Sequence, residues 1–454
     1  MLHPIPKGGK EKRKIVLINP PVYDFAAFDL WAKPFGLLLI ASYLQDNGFE
    51  VKLVDAMDPF HPLMEGLIPP KRKSFGAGKF FEEFVPKPPV FKDVKRMFRR
   101  FGLPASKLTE ALCAISEADY VFVTSGMTYW YPGVFEAISL ARQIFPKAKI
   151  VLGGIYATLC FDHARRLSGA DFVIAGSWEK NIEEIIKILQ LPLQSLNRPL
   201  FRPALELYPR LGYAPIMLSR GCPFRCSYCA SGILLDNYVT RDTEDVLEEF
   251  EKNLCRGVVD FAFYDDALLW NTAQGIIPFL DAVLAKGYQV RFHAPNGMHV
   301  SKVDKYLASL MKRAGFQTIR LGVETLSKEK HEKWGRKADP SVVAEVAEAF
   351  FSVGFTREEV GAYLLAGLPG QRAQELEKDI RTLIELGIRV YLAEYSPIPG
   401  TPMFEEAKKF SRYDIVSEPL THNNSVLPCA WEGFSCDDLQ RLKQLTWENR
   451  RISS

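Results

Sequence analysis

The chain has 454 residues, 47% of them hydrophobic, with 57 Lys and Arg against 54 Asp and Glu for a net charge of +3. That length suits two or three domains of roughly 100–200 residues each, and the near-balance of charge excludes the broad basic footprint of a nucleic-acid-binding protein. The longest strongly apolar run, Phe35 to Leu44, covers about half of the roughly 20 residues that a bilayer-spanning helix needs, so no membrane span is expected.

Near the N-terminus, the apolar run Ile15–Ile18 is shorter than a signal-peptide core and leads into Asn19-Pro20-Pro21 without a small-residue cleavage site, so a cytoplasmic chain is expected. Short β-branched runs then alternate with helical patterns through residue 190. The predicted strands are Ile15–Asn19, Val51–Asp55, Tyr120–Ser125, Lys149–Gly154 and Phe172–Gly176. Helices are predicted at Gly36–Asn47, Pro132–Ile144, Thr158–Leu167 and Glu179–Leu189. This alternation predicts an α/β domain over 1–190, a doubly wound parallel sheet whose ligand sits at the carboxyl ends of the strands. An insertion at 59–104, rich in Pro, Phe and Lys/Arg, breaks the rhythm, and its role is left open between a surface wrap and a substrate or partner arm.

Residues 191–213, with four prolines and no strong period, read as a linker. A second alternating series follows over 214–400, with strands predicted at Pro215–Ser219, Asp260–Tyr264, Gln289–Ala294, Thr318–Val323, Glu359–Ala366 and Arg389–Tyr395. Six strand–helix units predict a partial (β/α)6 TIM-like barrel with its chemistry on the loops at the C-terminal face. Residues 401–454 read as a small helical C-terminal tail.

The eight cysteines lack the regular spacing of a disulfide framework, except that Cys222, Cys226 and Cys229 fall together as Cys-x-x-x-Cys-x-x-Cys just after the first barrel strand. Soft thiolates favour zinc or an iron–sulfur cluster. A structural zinc site asks for four ligands, whereas this loop supplies three, which suits a four-iron cluster with one iron left open.

This spacing, with Tyr228 before the last cysteine, resembles the radical S-adenosylmethionine superfamily. Further resemblance lies in FYDDALLW (Phe261–Trp270), Glu324 in IRLGVET, LLAGLPGQ (Leu364–Gln371) and SPIPGTPM (Ser396–Met403). It implies an oxygen-sensitive enzyme with a 4Fe-4S cluster on Cys222, Cys226 and Cys229. It also implies S-adenosylmethionine contacts from Phe224, Tyr228, Asp265, Glu324, Pro397, Pro399 and Gly400. Where many members carry a Gly-Gly-Glu-like strand end, this chain has Tyr264-Asp265-Asp266, which puts the contact to the methionyl amino group in doubt. A Glu or Asp at a strand end also serves as a helix cap, so Asp266 keeps that second reading.

The N-terminal segments LINPPVYD, PFGLLLIASYLQDNGFEVKLVD, VTSGMTYWYPG, VLGGIYAT and DFVIAGSWE are similar to the Rossmann-like cobalamin-binding domain found in one branch of that superfamily. The resemblance implies cobalamin contacts from Ser125, Gly126, Thr128, Tyr129, Gly153, Gly154, Tyr156, Ala157 and Gly176. Taken alone, Gly153-Gly154 reads equally as a tight strand-to-helix turn. No Asp-x-His-x-x-Gly segment occurs, and His163 reads as a packed or surface residue, so no histidine ligand to cobalt is expected.

The function implied is a methyltransferase acting on an unactivated carbon through a 5′-deoxyadenosyl radical and methylcobalamin. A radical rearrangement, cyclisation or oxidation is the alternative, and a non-catalytic corrinoid or iron–sulfur sensor is a third reading. Expected partners are a small-molecule or lipid-like substrate and a low-potential electron donor such as flavodoxin or ferredoxin.

Cys429 and Cys436 are read as ordinary thiols rather than a second cluster site, and Cys113, Cys160 and Cys255 as core residues. Phe292, Tyr391 and Trp270 are placed at the barrel mouth as an apolar or aromatic lining. His293 is also expected there, as a satisfied structural histidine rather than a general base.

Overall fold

A computed structural model describes residues 12–68, 70–192, 201–235, 237–335 and 340–452. Part of the expected linker, 193–200, lies outside the described residues, as do the first eleven residues and the last two. Among those described, no helix is long and apolar enough to cross a membrane.

The first sheet holds β1 (Lys14–Asn19), β2 (Glu50–Asp55), β3 (Tyr120–Val123), β4 (Lys149–Leu152) and β5 (Phe172–Val173). All five are parallel, in the order β5-β4-β3-β1-β2. Strand alternation divides the core. Val16, Ile18, Val121 and Val123 pack with Leu108, Val134 and Ile138 on one face, while Ile15, Leu17 and Phe122 pack with Leu39, Leu44 and Ile185 on the other. Because the chain winds outward from β1 to β2 and then crosses back to β3, the order reverses between β1 and β3. Their carboxyl ends therefore splay and leave a crevice.

A second parallel sheet runs in sequence order through β6 (Ala214–Ile216), β7 (Asp260–Phe263), β8 (Arg291–Met298), β9 (Phe316–Glu324), β10 (Val360–Ala366) and β11 (Arg389–Glu394). Among the described residues β6 and β11 do not pair, so the barrel is partial. On its outer face Phe261, Phe263, Phe292 and Phe316 meet Phe250 and Phe279, with the Phe263 and Phe316 rings stacked at 5.5 Å.

This corrects two expectations. Phe292 does not line the mouth but is fully buried under the outer helices. Its neighbour His293 faces inward yet near the amino end of β8, where its Nδ1 lies 3.0 Å from Thr318 Oγ1 and its Nε2 lies 3.1 Å from Asp260 Oδ1. The Trp31 indole covers the imidazole at 4.2 Å and 14°. His293 is thus a structural histidine, as read, but not one at the mouth.

The 59–104 insertion is packed structure. Glu82–Phe84 and Arg99–Phe101 extend Val22–Asp24 into an antiparallel sheet, and Gly78–Lys79 pairs with Phe28–Asp29. Phe91 and Phe98 enclose Phe25, and the buried Arg100 is held by Glu136 and Glu83.

Beyond the barrel, helices Pro402–Phe410 and Cys436–Ile452 bear out a helical tail, but an irregular strap lies between them and reaches the first sheet. Asn423 Nδ2 donates to Asp24 Oδ1 at 2.8 Å, and Tyr131 OH donates to Glu418. His422 Nε2 lies 2.7 Å from the Ile415 carbonyl, which can only accept, so Nε2 carries the proton and Nδ1 accepts from Thr128 Oγ1 at 2.9 Å. Cys113 and Cys255 are exposed, correcting their reading as core residues, because each closes the last turn of its helix where the apolar face runs out, while Cys160 is half-buried against the first-sheet core.

Burial pushes the His422 imidazole down to about 4. The unfolded chain, with a histidine near 6.5, therefore binds the extra proton between these values. Stability should be full above about pH 6.5 and fall on acidification towards pH 4, by up to about 1.4 kcal/mol per pH unit. His422→Gln should flatten this part of the profile in denaturant titrations at about pH 7 and pH 5. An unchanged slope would exclude His422 as the titrating group.

Candidate functional site

The cysteine loop is built between the two sheets. After β6, the amides of Leu218 and Ser219 donate to the Asp265 carboxylate at the end of β7, at 3.1 and 2.6 Å, and the Ser219 hydroxyl adds a third donor at 2.6 Å. Asp265 is 2% exposed, and burial raises it to about 6 in spite of those bonds. Its carboxylate braces the entry to the loop.

Cys222 and Cys226 are buried and Cys229 is half-buried. Later segments pin the loop: Ser227 N–H donates to Trp334 O at 2.8 Å, and Met403 N–H donates to Ser227 O at 2.9 Å. Gly335, with φ of +96°, passes so close that a Cβ there would lie 2.8 Å from Cys226 Cα. The Ser231 amide points at Cys229 Sγ at 3.4 Å, an N–H···S contact that orients this side chain. Among the described residues, no three His, Cys, Asp or Glu side chains converge on a single metal ion. An iron–sulfur cluster does not require that, since each thiolate binds a different iron.

Around this loop lie most of the residues expected to contact S-adenosylmethionine. Glu324 ends β9, buried, with a left-handed backbone at φ of 65°, a strain typical of functional positions. The Tyr228 hydroxyl is pushed upward by burial and then by the neighbouring Glu324 and Cys226, which places all three together. The Phe224 ring stacks on His299 at 4.1 Å and meets the edge of Trp270 at 5.1 Å. In the proline-rich loop, Pro397 is buried, Pro399 half-buried, and Gly400 sits against Ile233 of the cysteine segment. Tyr391 lies lower on the inner face under the Arg320 guanidinium, at 4.4 Å.

Two cavities flank the carboxyl ends of β1, β3 and β4. The smaller, about 250 Å³, is lined by Gly153, Gly154, Gly176, Leu37, Ile174 and Trp178, and is walled by Arg220, Leu234 and Leu235 from either side of the cysteine motif. The larger, about 540 Å³, passes Asn19–Pro21, Ser125, Gly126, Tyr129 and Gly154 at the β1/β3 crevice and reaches Asn424 of the strap. Gly154 has φ of +96°, and a Cβ on it would lie 2.4 Å from Ser125 O, so strand end and helix start touch backbone to backbone. At Gly153 a Cβ would meet nothing nearer than 4.0 Å and would project into free space.

Of the nine residues expected at a corrinoid, six line these cavities and three do not. Thr128 is bonded to His422, Tyr156 is fully buried with its hydroxyl 2.7 Å from His163 Nδ1, and Ala157 gives its amide to Ser125 Oγ at 3.2 Å. The wall from Arg220, Leu234, Leu235 and Asn424 was not read from sequence, although Arg220 stands two residues before the first motif cysteine. Cys429 is buried with Trp334 and Tyr395, while Cys436 is exposed.

Residues 216–383 match the Radical SAM superfamily. The chain is 24% identical over 329 residues to an anaerobic magnesium-protoporphyrin IX monomethyl ester cyclase of Cereibacter sphaeroides, covering 62% of this chain and 53% of that one, so it spans about half of that relative. It is 22% identical over 473 residues to an uncharacterised methyltransferase of Pyrococcus horikoshii, covering 96% and 89%. Among solved structures it resembles the radical S-adenosylmethionine methyltransferase TsrM of Kitasatospora setae bound to tryptophan and a S-adenosylmethionine analogue, with a TM-score of 0.63, 17% identity and coverage of 88% and 76%. That likeness establishes the fold.

Gly335→Ala should drive a methyl group into the Cys226 backbone in a conformation that alanine disfavours. Iron and sulfide content after anaerobic reconstitution should fall below about half of the unmodified protein's, with far-ultraviolet dichroism retained. Full cluster content would show that the loop does not depend on this approach.

Proposed function

Because residues 216–383 carry a radical S-adenosylmethionine domain, we propose that this chain is a cobalamin-dependent radical enzyme that methylates an unactivated carbon of a small, apolar substrate. The observation that carries the reading is the shared wall: Arg220, Leu234 and Leu235, flanking the cysteines, close the cavity that Gly153, Gly154 and Gly176 open in the first sheet.

The residues present fit the groups required. Cys222, Cys226 and Cys229 would hold a 4Fe-4S cluster, with Tyr228, Glu324, Phe224 and the Pro397–Gly400 loop around S-adenosylmethionine. Gly153 opens onto free space in the cavity that Gly154 and Gly176 also line, where the flat ring of a corrinoid would sit. When bound, these cofactors supply the electron, the adenosyl radical and the methyl group. The protein's own work is positional. It buries Cys222 and Cys226 and would hold the two cofactors across one gap. Among the described residues no histidine lines either cavity.

The name of the cyclase relative supports a second reading, in which the same radical closes a ring without methyl transfer. Products separate the two. After anaerobic reconstitution with iron, sulfide and cobalamin, turnover should yield S-adenosylhomocysteine together with 5′-deoxyadenosine. Abundant 5′-deoxyadenosine alone, with every candidate substrate, would favour the second reading. Cys226→Ala should abolish both products, and reductive cleavage that survives it would sink the radical assignment and leave a sensor role.

A further inference from the structure

We propose that the exposed patch of Trp270, Lys302, Lys305 and Tyr306 is the docking surface for an acidic, low-potential electron carrier of the flavodoxin class. The proposal rests on the radical reading above and names the partner that feeds its cluster site.

Cys222 and Cys226 are shielded from solvent, while Cys229 is half-buried. Phe224, between the first two in sequence, provides a path outward. One face of its ring covers His299 at 4.1 Å, and its flank meets the Trp270 indole at 5.1 Å and 85°. Trp270 is 40% exposed, so one ring contact carries Phe224 to the surface.

The surroundings of Trp270 are basic and aromatic. Lys302 Nζ stands 5.4 Å above its ring, Lys302 and Lys305 are exposed, and Tyr306 is 58% exposed. Arg225, next to Phe224, is exposed as well. The carboxylate in the 299–306 stretch, Asp304, is engaged in capping helix Lys305–Ala314 through the Leu307 amide at 2.7 Å. Exposed aromatic residues set among lysines match an acidic protein face: the rings supply contact area and the charges steer encounter. None of these residues lines either of the two cavities described above. In the transfer the reduced carrier loses one electron and the oxidised cluster gains it, and no covalent bond forms or breaks.

The test uses the full-length protein reconstituted with its cluster and compares Lys302→Glu/Lys305→Glu with the unmodified chain under two reductants, measuring 5′-deoxyadenosine. With dithionite, which needs no docking, the rates should agree within about twofold. With reduced flavodoxin, the variant's KM for the carrier should rise about tenfold or more, and its salt dependence should weaken. A Lys→Gln pair should fall between. An unchanged flavodoxin KM would overturn the proposal, as would equal losses with both reductants, which would mark the lysines as structural. If the unmodified protein forms no 5′-deoxyadenosine with dithionite, the radical reading itself fails.

Discussion

The site depends on how closely backbones approach one another where no side chain intervenes. Gly154 lets the turn after β4 lie directly on Ser125 after β3, and Gly335 lets the end of helix Lys328–Trp334 lie on Cys226. Each contact lies inside the distance that a Cβ would need, and each fixes a wall of the site: the floor of the crevice in the first sheet and the back of the cysteine loop. Hydrogen bonds reinforce both, through Ser125 Oγ to Gly153 O at 2.6 Å and Ser227 N–H to Trp334 O at 2.8 Å. A site assembled from backbone keeps its shape without long side chains that must pay rotamer entropy.

These walls face one another only if the sheets keep their relative placement, and a buried polar seam enforces it. Lys33 Nζ is 2.8 Å from Asp58, both essentially without exposure, and lies 4.0 Å over the Tyr208 ring. Tyr208 OH donates to Asp55 at 2.5 Å, Tyr213 OH donates to Asp29, and Tyr264 OH, at the end of β7, accepts from the Lys33 amide at 2.6 Å. Burial drives Asp55 upward while Lys33 pulls it down, so the seam holds as a network and not as separate pairs. Across the smaller cavity, Arg220 reaches Glu179 and ties the cysteine loop to the turn after β5. Such a seam adds specificity of placement more surely than stability.

Much of this was legible in the chain, and what escaped did so for local reasons. Buried parallel strands write themselves as β-branched runs, so all eleven strands of the two parallel sheets fall where the alternation puts them, and the cysteine spacing marks the loop directly. The register of β8 was harder. Phe292 and His293 are adjacent, so opposite faces follow from the pleat, but which face looks inward depends on helices elsewhere. Asp265 shows the same limit: a strand-end carboxylate looks like a ligand until the amides of Leu218 and Ser219, nearly 50 residues earlier in the chain, are seen to use it. Tyr156 and Thr128 were read from a motif that correctly located the crevice. A helical turn separates side chains by about 100° per residue, which sends some inward and others to His163 or His422. The strap at 411–435 has no period at all, and its contacts with the N-terminal domain span 287 to 399 residues of sequence.

The ionisable lining of the larger cavity is Asp24, Lys33 and Tyr129. Asp24 is engaged by the Trp130 indole, by Asn423 and by the Phe25 amide, and Lys33 by Asp58. Tyr129 is fully buried, and its hydroxyl is pushed far above its ordinary range. Burial raises the Asp24 carboxyl against the pull of those donors. The rest of the lining is mostly apolar, from Val22, Phe28, Phe35, Met57, Phe80 and Val134, and its shape is set by Gly126, Gly154 and the strap at Asn424.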